Sequence, residues 1–66
     1  MISGWIEFHQ NDIAIIKSIF GDSVTYIKPS DYVTHRVARF DNALEEVLDK
    51  LGPYWGQFEW IVDAKP

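Results

Sequence analysis

The spacing of apolar residues switches repeatedly between the two-residue period of a strand and the 3.6-residue period of a helix, and this succession most constrains the fold. Residues 2–9 alternate as a strand does, whereas residues 13–20 place their isoleucines and Phe20 on one half of a helical wheel. The Asn-Asp pair at 11–12 is typical of a helix start, and Gly21 of a helix end. We therefore predict a strand followed by a helix. The β-branched isoleucines leave a strand over the same residues as the alternative.

The rest of the chain predicts a hairpin, a helix and a last strand. Residues 23–28 and 32–40 are strand-like and are separated by a proline-containing turn, so they should pair antiparallel. Asp41 is predicted to cap a second helix that ends at Gly52. Alternation over 58–63 predicts the last strand. The apolar stripe of the second helix would consist of Ala43, Leu44, Val47, Leu48 and Leu51.

The order β-α-β-β-α-β predicts an α+β fold, the ferredoxin-like sandwich. This fold has a four-stranded antiparallel sheet, with the first and third strands central and both helices on one face. If residues 13–20 formed a strand instead, a five-stranded meander with one helix would result. A chain of 66 residues is too short for two separate cores, so we expect a single domain over 1–66. The chain has no cysteine, so its stability must come from packing.

In this fold one side of each strand faces the helices and the other side is uncovered. The predicted helix-covered residues are Ile6, Phe8, Val33, Val37, Phe58, Trp60 and Val62. The predicted uncovered residues are Trp5, Glu7, His9, Ile27, Glu59, Ile61 and Asp63. Because the first and last strands are neighbours, Glu7, Glu59 and Asp63 should form a carboxylate strip beside Trp5 and Ile61. An aromatic residue flanked by acids is typical of a protein-binding patch. The alternative is that Trp5 and Ile61 only cover each other.

The net charge of −4 arises entirely after Phe40, since acidic and basic residues balance before it. The acids of this later part are Asp41, Glu45, Glu46, Asp49, Glu59 and Asp63. An acidic field repels nucleic-acid phosphates and anionic lipids and attracts basic proteins. We therefore expect a basic protein partner, with no direct nucleic-acid or membrane binding. Glu45, Glu46 and Asp49, on the polar face of the second helix, are further candidate contacts. The alternative is that the charge only keeps the chain soluble.

No catalytic, cofactor or metal site is predicted. The sequence has no cysteine nucleophile, no zinc ribbon and no phosphate-binding loop. Glu7, His9 and His35 could approach one another, but nothing in the sequence fixes the geometry that a metal requires. An open sheet face also lacks the burial that carboxylates need for general acid-base catalysis. We therefore expect a protein that is not an enzyme.

The loop Tyr54-Trp55-Gly56 is a further candidate contact, because Trp and Tyr supply large contact areas at little entropic cost. The alternative is that this loop closes the open end of the core. The apolar runs are too short for a membrane span, and the N-terminus lacks the basic segment of a signal peptide. We expect a complete, cytoplasmic chain.

In size, acidity, and lack of cysteine or any catalytic motif, the chain resembles the small phage-encoded inhibitors of bacterial defence, particularly anti-CRISPR proteins. The resemblance implies an inhibitor in the cytoplasm of a bacterial host. Its acidic residues would block the nucleic-acid groove of a CRISPR effector subunit, of the Cascade type, as a partial DNA mimic. Steric blocking by Trp5, Tyr54 and Trp55 is a variant of this function, and we expect a monomer. The alternative is a small ferredoxin-like ligand-binding or regulatory domain, dimeric through an edge strand or its open face.

Overall fold

A computed structural model of the chain describes residues 1–64. The two helices and four strands are β1 (Ile2–His9), α1 (Ile13–Phe20), β2 (Val24–Pro29), β3 (His35–Ala43), α2 (Val47–Leu51) and β4 (Glu59–Val62). Single 3₁₀ turns occupy Gln10–Asp12, Gly21–Ser23 and Gly52–Tyr54. Among the residues described, no helix is long and apolar enough to cross a membrane.

The strands form one four-stranded sheet in the order β2-β3-β1-β4. Every pair of neighbouring strands is antiparallel, including the predicted hairpin between β2 and β3. The first and third strands are therefore central, and β1 lies beside β4. Both helices contribute buried residues to the same core cluster and contact each other, so they cover the same side of the sheet.

Helix α1 lies where the apolar periodicity predicts it, so the five-stranded alternative is wrong. Its central residue Ile16 is completely buried. Gly21 ends the helix with φ 56°, a left-handed conformation that glycine adopts without strain. The start of the helix differs in detail, because Asp12 makes no capping hydrogen bond through its side chain. Instead, Nδ1 of His9 accepts a hydrogen bond from the backbone N–H of Asn11 at 3.1 Å.

The second helix begins later than predicted, because β3 continues through Asp41 to Ala43. Asp41 is not a helix cap. Its carboxylate accepts a hydrogen bond from Oγ1 of Thr25 at 2.7 Å and pairs with Arg39. Ala43 lies opposite Ile2 in the sheet and is buried. Pairing with β1 therefore takes these residues into the strand, although an isolated Asp before an apolar stripe is typical of a helix start.

The apolar stripe predicted for the second helix is only partly buried. Val47 and Leu51, one helical turn apart, face the core. Leu44 precedes the helix and is 55% exposed, and Leu48 is also exposed. The prediction is wrong for these two leucines because the helix begins only at residue 47 and has room for one buried face.

The core lies between the sheet and the two helices. Its fully buried large side chains are Phe8, Phe40, Phe58, Ile6, Ile16 and Leu51. The predictions for Ile6, Phe8 and Phe58 are confirmed, and Trp60 packs against the core from its edge. In β3 the core positions are Ala38 and Phe40.

Some residues lie on the opposite side from the one predicted. Val37 pairs with Glu7 and therefore lies away from the helices, whereas Ile27 pairs with Ala38 and lies on the helical side. Val33 precedes β3 and is 88% exposed. The predictions for β3 failed because its register with β1 decides which alternate residues face the helices. A one-residue shift in register moves every side chain of a strand to the other face. The prediction that Val62 is covered by the helices failed for another reason. Val62 is exposed because it is the last residue of an edge strand.

Candidate functional site

The side of the sheet opposite the helices, here called the open face, consists of rows of residues that lie opposite one another on neighbouring strands. One row, from β4 to β2, is Ile61, Trp5, Arg39 and Tyr26. The next row is Glu59, Glu7, Val37 and Lys28. The strand order thus places two predicted acids beside each other. It also brings two basic residues onto the open face that the sequence analysis had not placed there.

Trp5 is held by cations of its own chain. Nζ of Lys28 lies 4.9 Å from the centroid of the Trp5 ring, and Cζ of Arg39 lies 5.4 Å from it. The ring of Tyr26 meets Trp5 edge-on at a centroid distance of 6.4 Å. Each cation–π contact at a partly exposed site contributes about 0.5–1 kcal/mol. Trp5 is therefore a fixed, half-buried part of the open face rather than a residue covered only by Ile61.

Arg39 pairs with two acids, Asp41 and Asp63, at one end of the open face, so its single positive charge offsets one of their two negative charges. Its guanidinium donates two hydrogen bonds to Asp63, at 2.6 and 3.1 Å, and its Nη2 lies 3.2 Å from Asp41. Hydrogen bonding from Arg39 holds the pKa of Asp63 below its ordinary value, and the charge of Arg39 acts in the same direction. The same hydrogen bond raises the pKa of Arg39. Asp63 is therefore ion-paired. Of the predicted carboxylate strip, only Glu7 and Glu59 make no ion pair among residues 1–64.

A groove of about 610 Å³ lies on the open face, over the part of the sheet where β4 joins β1. Its lining residues are Trp5, Glu7, Val37, Trp55, Phe58, Glu59, Trp60 and Ile61. Two of its large apolar side chains are strongly exposed, Trp55 at 82% and Ile61 at 72%. The groove therefore combines aromatic and aliphatic walls with two carboxylates.

The loop before β4 places its two aromatic residues differently. Tyr54 stacks on Phe58 at a centroid distance of 4.9 Å and packs against the core, as a lid would. The backbone N–H groups of Gln57 and Phe58 donate to the carbonyl of Tyr54, at 2.8 and 2.9 Å, and fix the loop. Trp55 takes no part in the core and lines the groove.

The two carboxylates of the groove differ in their partners. Glu7 accepts a hydrogen bond from the hydroxyl of Ser30. The side chain of Glu59 is exposed and makes no hydrogen bond or ion pair with any residue between 1 and 64. The groove therefore presents one carboxylate that is hydrogen-bonded to a neutral hydroxyl and one whose side chain has no partner among the described residues.

The remaining predicted acids lie on a different surface. Glu45 and Glu46 are exposed in the turn that leads into α2, and Asp49 is exposed within that helix. They belong to the helical layer, on the other side of the sheet from the groove. The acids of residues 41–63 are thus divided between the helical layer and the open face and form no single continuous surface.

The two histidines considered for metal binding, His9 and His35, make ring contacts with each other and with Tyr32. The rings of His9 and His35 meet edge-on at 5.4 Å, and Tyr32 contacts His35 at 5.7 Å. In residues 1–64, no group of three His, Cys, Asp or Glu side chains is placed to hold a metal ion.

Of the predicted contact residues, the groove brings together Trp5, Glu7, Trp55 and Glu59. Val37, which also lines the groove, was predicted to lie in the core, and no local feature of the sequence indicates its position on the open face. No family model matches the chain, and neither the curated proteins nor the solved structures give a match.

Proposed function

We propose that this chain is a non-enzymatic protein-binding module that contacts a basic protein through the groove of its open face. The observation that carries the proposal is the exposure of Trp55 and Ile61 beside Glu7 and Glu59 on a sheet face without covering helices. Adjacent exposed apolar side chains mark interaction sites, and Trp is enriched among residues that dominate binding energy. The carboxylates add a preference for a basic partner.

The resemblance to anti-CRISPR proteins supplies the class of partner, a Cascade-type effector subunit with a basic nucleic-acid groove. An aromatic anchor supported by the acid pair is our preferred mode of blocking. It is favoured over DNA mimicry because Asp41 and Asp63 share the positive charge of Arg39, and the other acids are divided between two sides of the sheet. A weak, divided field is screened within about 8 Å at physiological salt. A desolvated tryptophan keeps its contribution under those conditions.

We also propose that the fold is a small ferredoxin-like sandwich. The support is the antiparallel order β2-β3-β1-β4 with β1 and β3 in the centre, and one core shared by both helices. This topology leaves the open face free for a partner.

The experiment measures DNA binding by a purified Cascade-type effector in a gel-shift assay, with and without the chain. Trp55→Ala should weaken inhibition by roughly thirtyfold, the effect of losing about 2 kcal/mol at a binding hot spot, mainly through faster dissociation. Leu44→Ala is the matched control, since Leu44 is an exposed apolar residue of the helical layer.

A second variant separates the two modes of blocking. Changing Glu45, Glu46 and Asp49 together to Lys should leave inhibition nearly unchanged. Loss of inhibition in this triple variant, with normal inhibition by Trp55→Ala, would move the contact to the helical layer. If the wild-type chain had no effect on such effectors, the anti-CRISPR assignment would be wrong.

The ligand-binding alternative has one observation in its favour, because a groove of about 610 Å³ lies in the size range of small-molecule sites. Such sites bury most of their ligand, however, and this groove is bounded by the highly exposed Trp55 and Ile61. The geometry therefore favours a protein segment as the occupant.

A further inference from the structure

Glu7 and Glu59 lie directly opposite each other on β1 and β4. The Cβ atoms of such a pair are about 5 Å apart, and like charges at this separation destabilise a sheet. Within residues 1–64 no lysine or arginine forms an ion pair with either carboxylate. Arg39 is engaged by Asp41 and Asp63, and the Lys28 ammonium lies over the ring of Trp5. The pair therefore presents two adjacent carboxylates that no ion pair of the described residues neutralises.

The surroundings of this pair are apolar and aromatic. Trp55 and Ile61 are the most exposed of the groove's large apolar side chains, and Val37 lies next to Glu7 in the same row. A cation that enters such a site needs an apolar stem and a charged head that stacks on an indole ring. The volume of about 610 Å³ exceeds one side chain and leaves room for the flanking backbone of a peptide segment.

We propose that the groove receives one arginine side chain of the partner protein, with its guanidinium bridging Glu7 and Glu59 and packing against Trp55. Arginine fits better than lysine because its planar head presents five donors in a fixed fork and stacks on aromatic faces. The ammonium of lysine is a compact and strongly hydrated charge. The inference rests on the proposed function, since it names the group of the basic partner that the groove binds.

The test titrates the ¹⁵N-labelled chain with the peptide acetyl-Gly-Gly-Arg-Gly-Gly-amide, followed by amide and indole N–H signals in two-dimensional NMR. Peptides with lysine or citrulline in place of arginine are compared, since citrulline has nearly the shape of arginine without its charge. The arginine peptide should shift the signals of Glu59 and the Trp55 indole. The lysine peptide should bind more weakly, and the citrulline peptide should cause no shift.

Glu59→Gln should weaken binding of the arginine peptide by about fivefold, the upper end of what an exposed ion pair contributes. Glu46→Gln is the control, because it makes the same charge change at an exposed site on the helical layer. Both substitutions are exposed, so amide spectra that superimpose on the wild type outside the site show that the fold is kept.

The proposal is overturned if lysine binds as tightly as arginine, if citrulline binds at all comparably, or if the shifts fall on α2. Equal weakening by Glu59→Gln and Glu46→Gln would also overturn it. Arginine-specific binding without inhibition of any effector would refute the proposed inhibitory function and leave this inference standing. Inhibition by a chain that does not bind the arginine peptide would refute this inference and leave the proposed inhibitory function standing.

Discussion

Gly4 is the position at which adding a single methyl group should do the most damage to the sheet. A Cβ at this position would collide with the backbone carbonyl oxygen of Ile61 and lie only 2.9 Å from Cζ of Phe40 and 3.0 Å from Cα of Val62. Two of these three neighbours are backbone atoms of β4, which cannot rotate away as a side chain can. Gly4→Ala therefore has to push β4 off β1.

The loss can be estimated from the contacts at this end of β4. Overpacking a well-packed site costs about 1–3 kcal/mol. Displacing β4 also breaks the pairing of Gly4 with Val62 and the 2.9 Å hydrogen bond from the Asp63 N–H to the Ser3 carbonyl, worth about 1 kcal/mol. We expect a loss of about 2–4 kcal/mol in the free energy of unfolding. In a domain of this size that lowers the Tm by on the order of 10–30 °C.

The assay is urea or thermal unfolding followed by circular dichroism, with Gly56→Ala as the matched control. A Cβ at Gly56 would meet no atom within 4 Å, so this variant should lie within about 0.5 kcal/mol of the wild type. If Gly4→Ala were as stable as Gly56→Ala, the close approach of β4 to β1 would be refuted. The position of Glu59 opposite Glu7 would then lose its support.

The other predictions concern the helix, the ion pair and nucleic acid. Ile16→Asp should unfold the domain, because a charge would replace a fully buried side chain, whereas Lys17→Ala should change stability by under about 0.5 kcal/mol in the same assay. In an NMR titration, Arg39→Gln should raise the pKa of the Asp63 carboxyl toward its ordinary value; the stability from this pair is present above the ordinary pKa of Asp and lost as pH falls through the lower, folded value. An unchanged pKa would contradict the ion pair. The chain should not retain DNA or RNA in a gel shift at physiological salt, and micromolar binding would contradict the repulsive field.

Helix α1 was predictable because its signals are local. The wheel of isoleucines, with Ile16 at its centre, and the left-handed glycine Gly21 all lie within one short stretch of chain. The antiparallel hairpin between β2 and β3 followed in the same way from the order of the periodic segments.

The boundary between β3 and α2 was not predictable, because the two local signals conflict. Asp41 before an apolar stripe favours a helix, but pairing with β1 and the contacts of Asp41 with Thr25 and Arg39 favour a strand. These contacts join residues distant in sequence. Tertiary pairing overrides a helix cap worth about 1 kcal/mol.

The groove was predictable only in part. The strand order alone brought Glu7 and Glu59 together, so this pair could be found from the sequence. Val37 lies in the groove because of the register between β3 and β1, which the sequence does not fix. The position of Trp55 depends on how its loop packs on the core through Tyr54. The ion pairs of Arg39 likewise depend on how three strands are placed, so the pairing of Asp63 with Arg39 was not predictable.

The most direct test of the central claim is a cross-saturation NMR experiment on the labelled chain bound to an unlabelled Cascade-type effector. Saturation spreads from the partner to the nuclei in contact with it. The account predicts the strongest attenuation at the Trp55 indole and the amides of Glu59 and Ile61, with the signals of Leu44 and Leu48 on the helical layer unaffected. Attenuation centred on those leucines, with the groove signals unchanged, would contradict the claim that the open face is the binding surface.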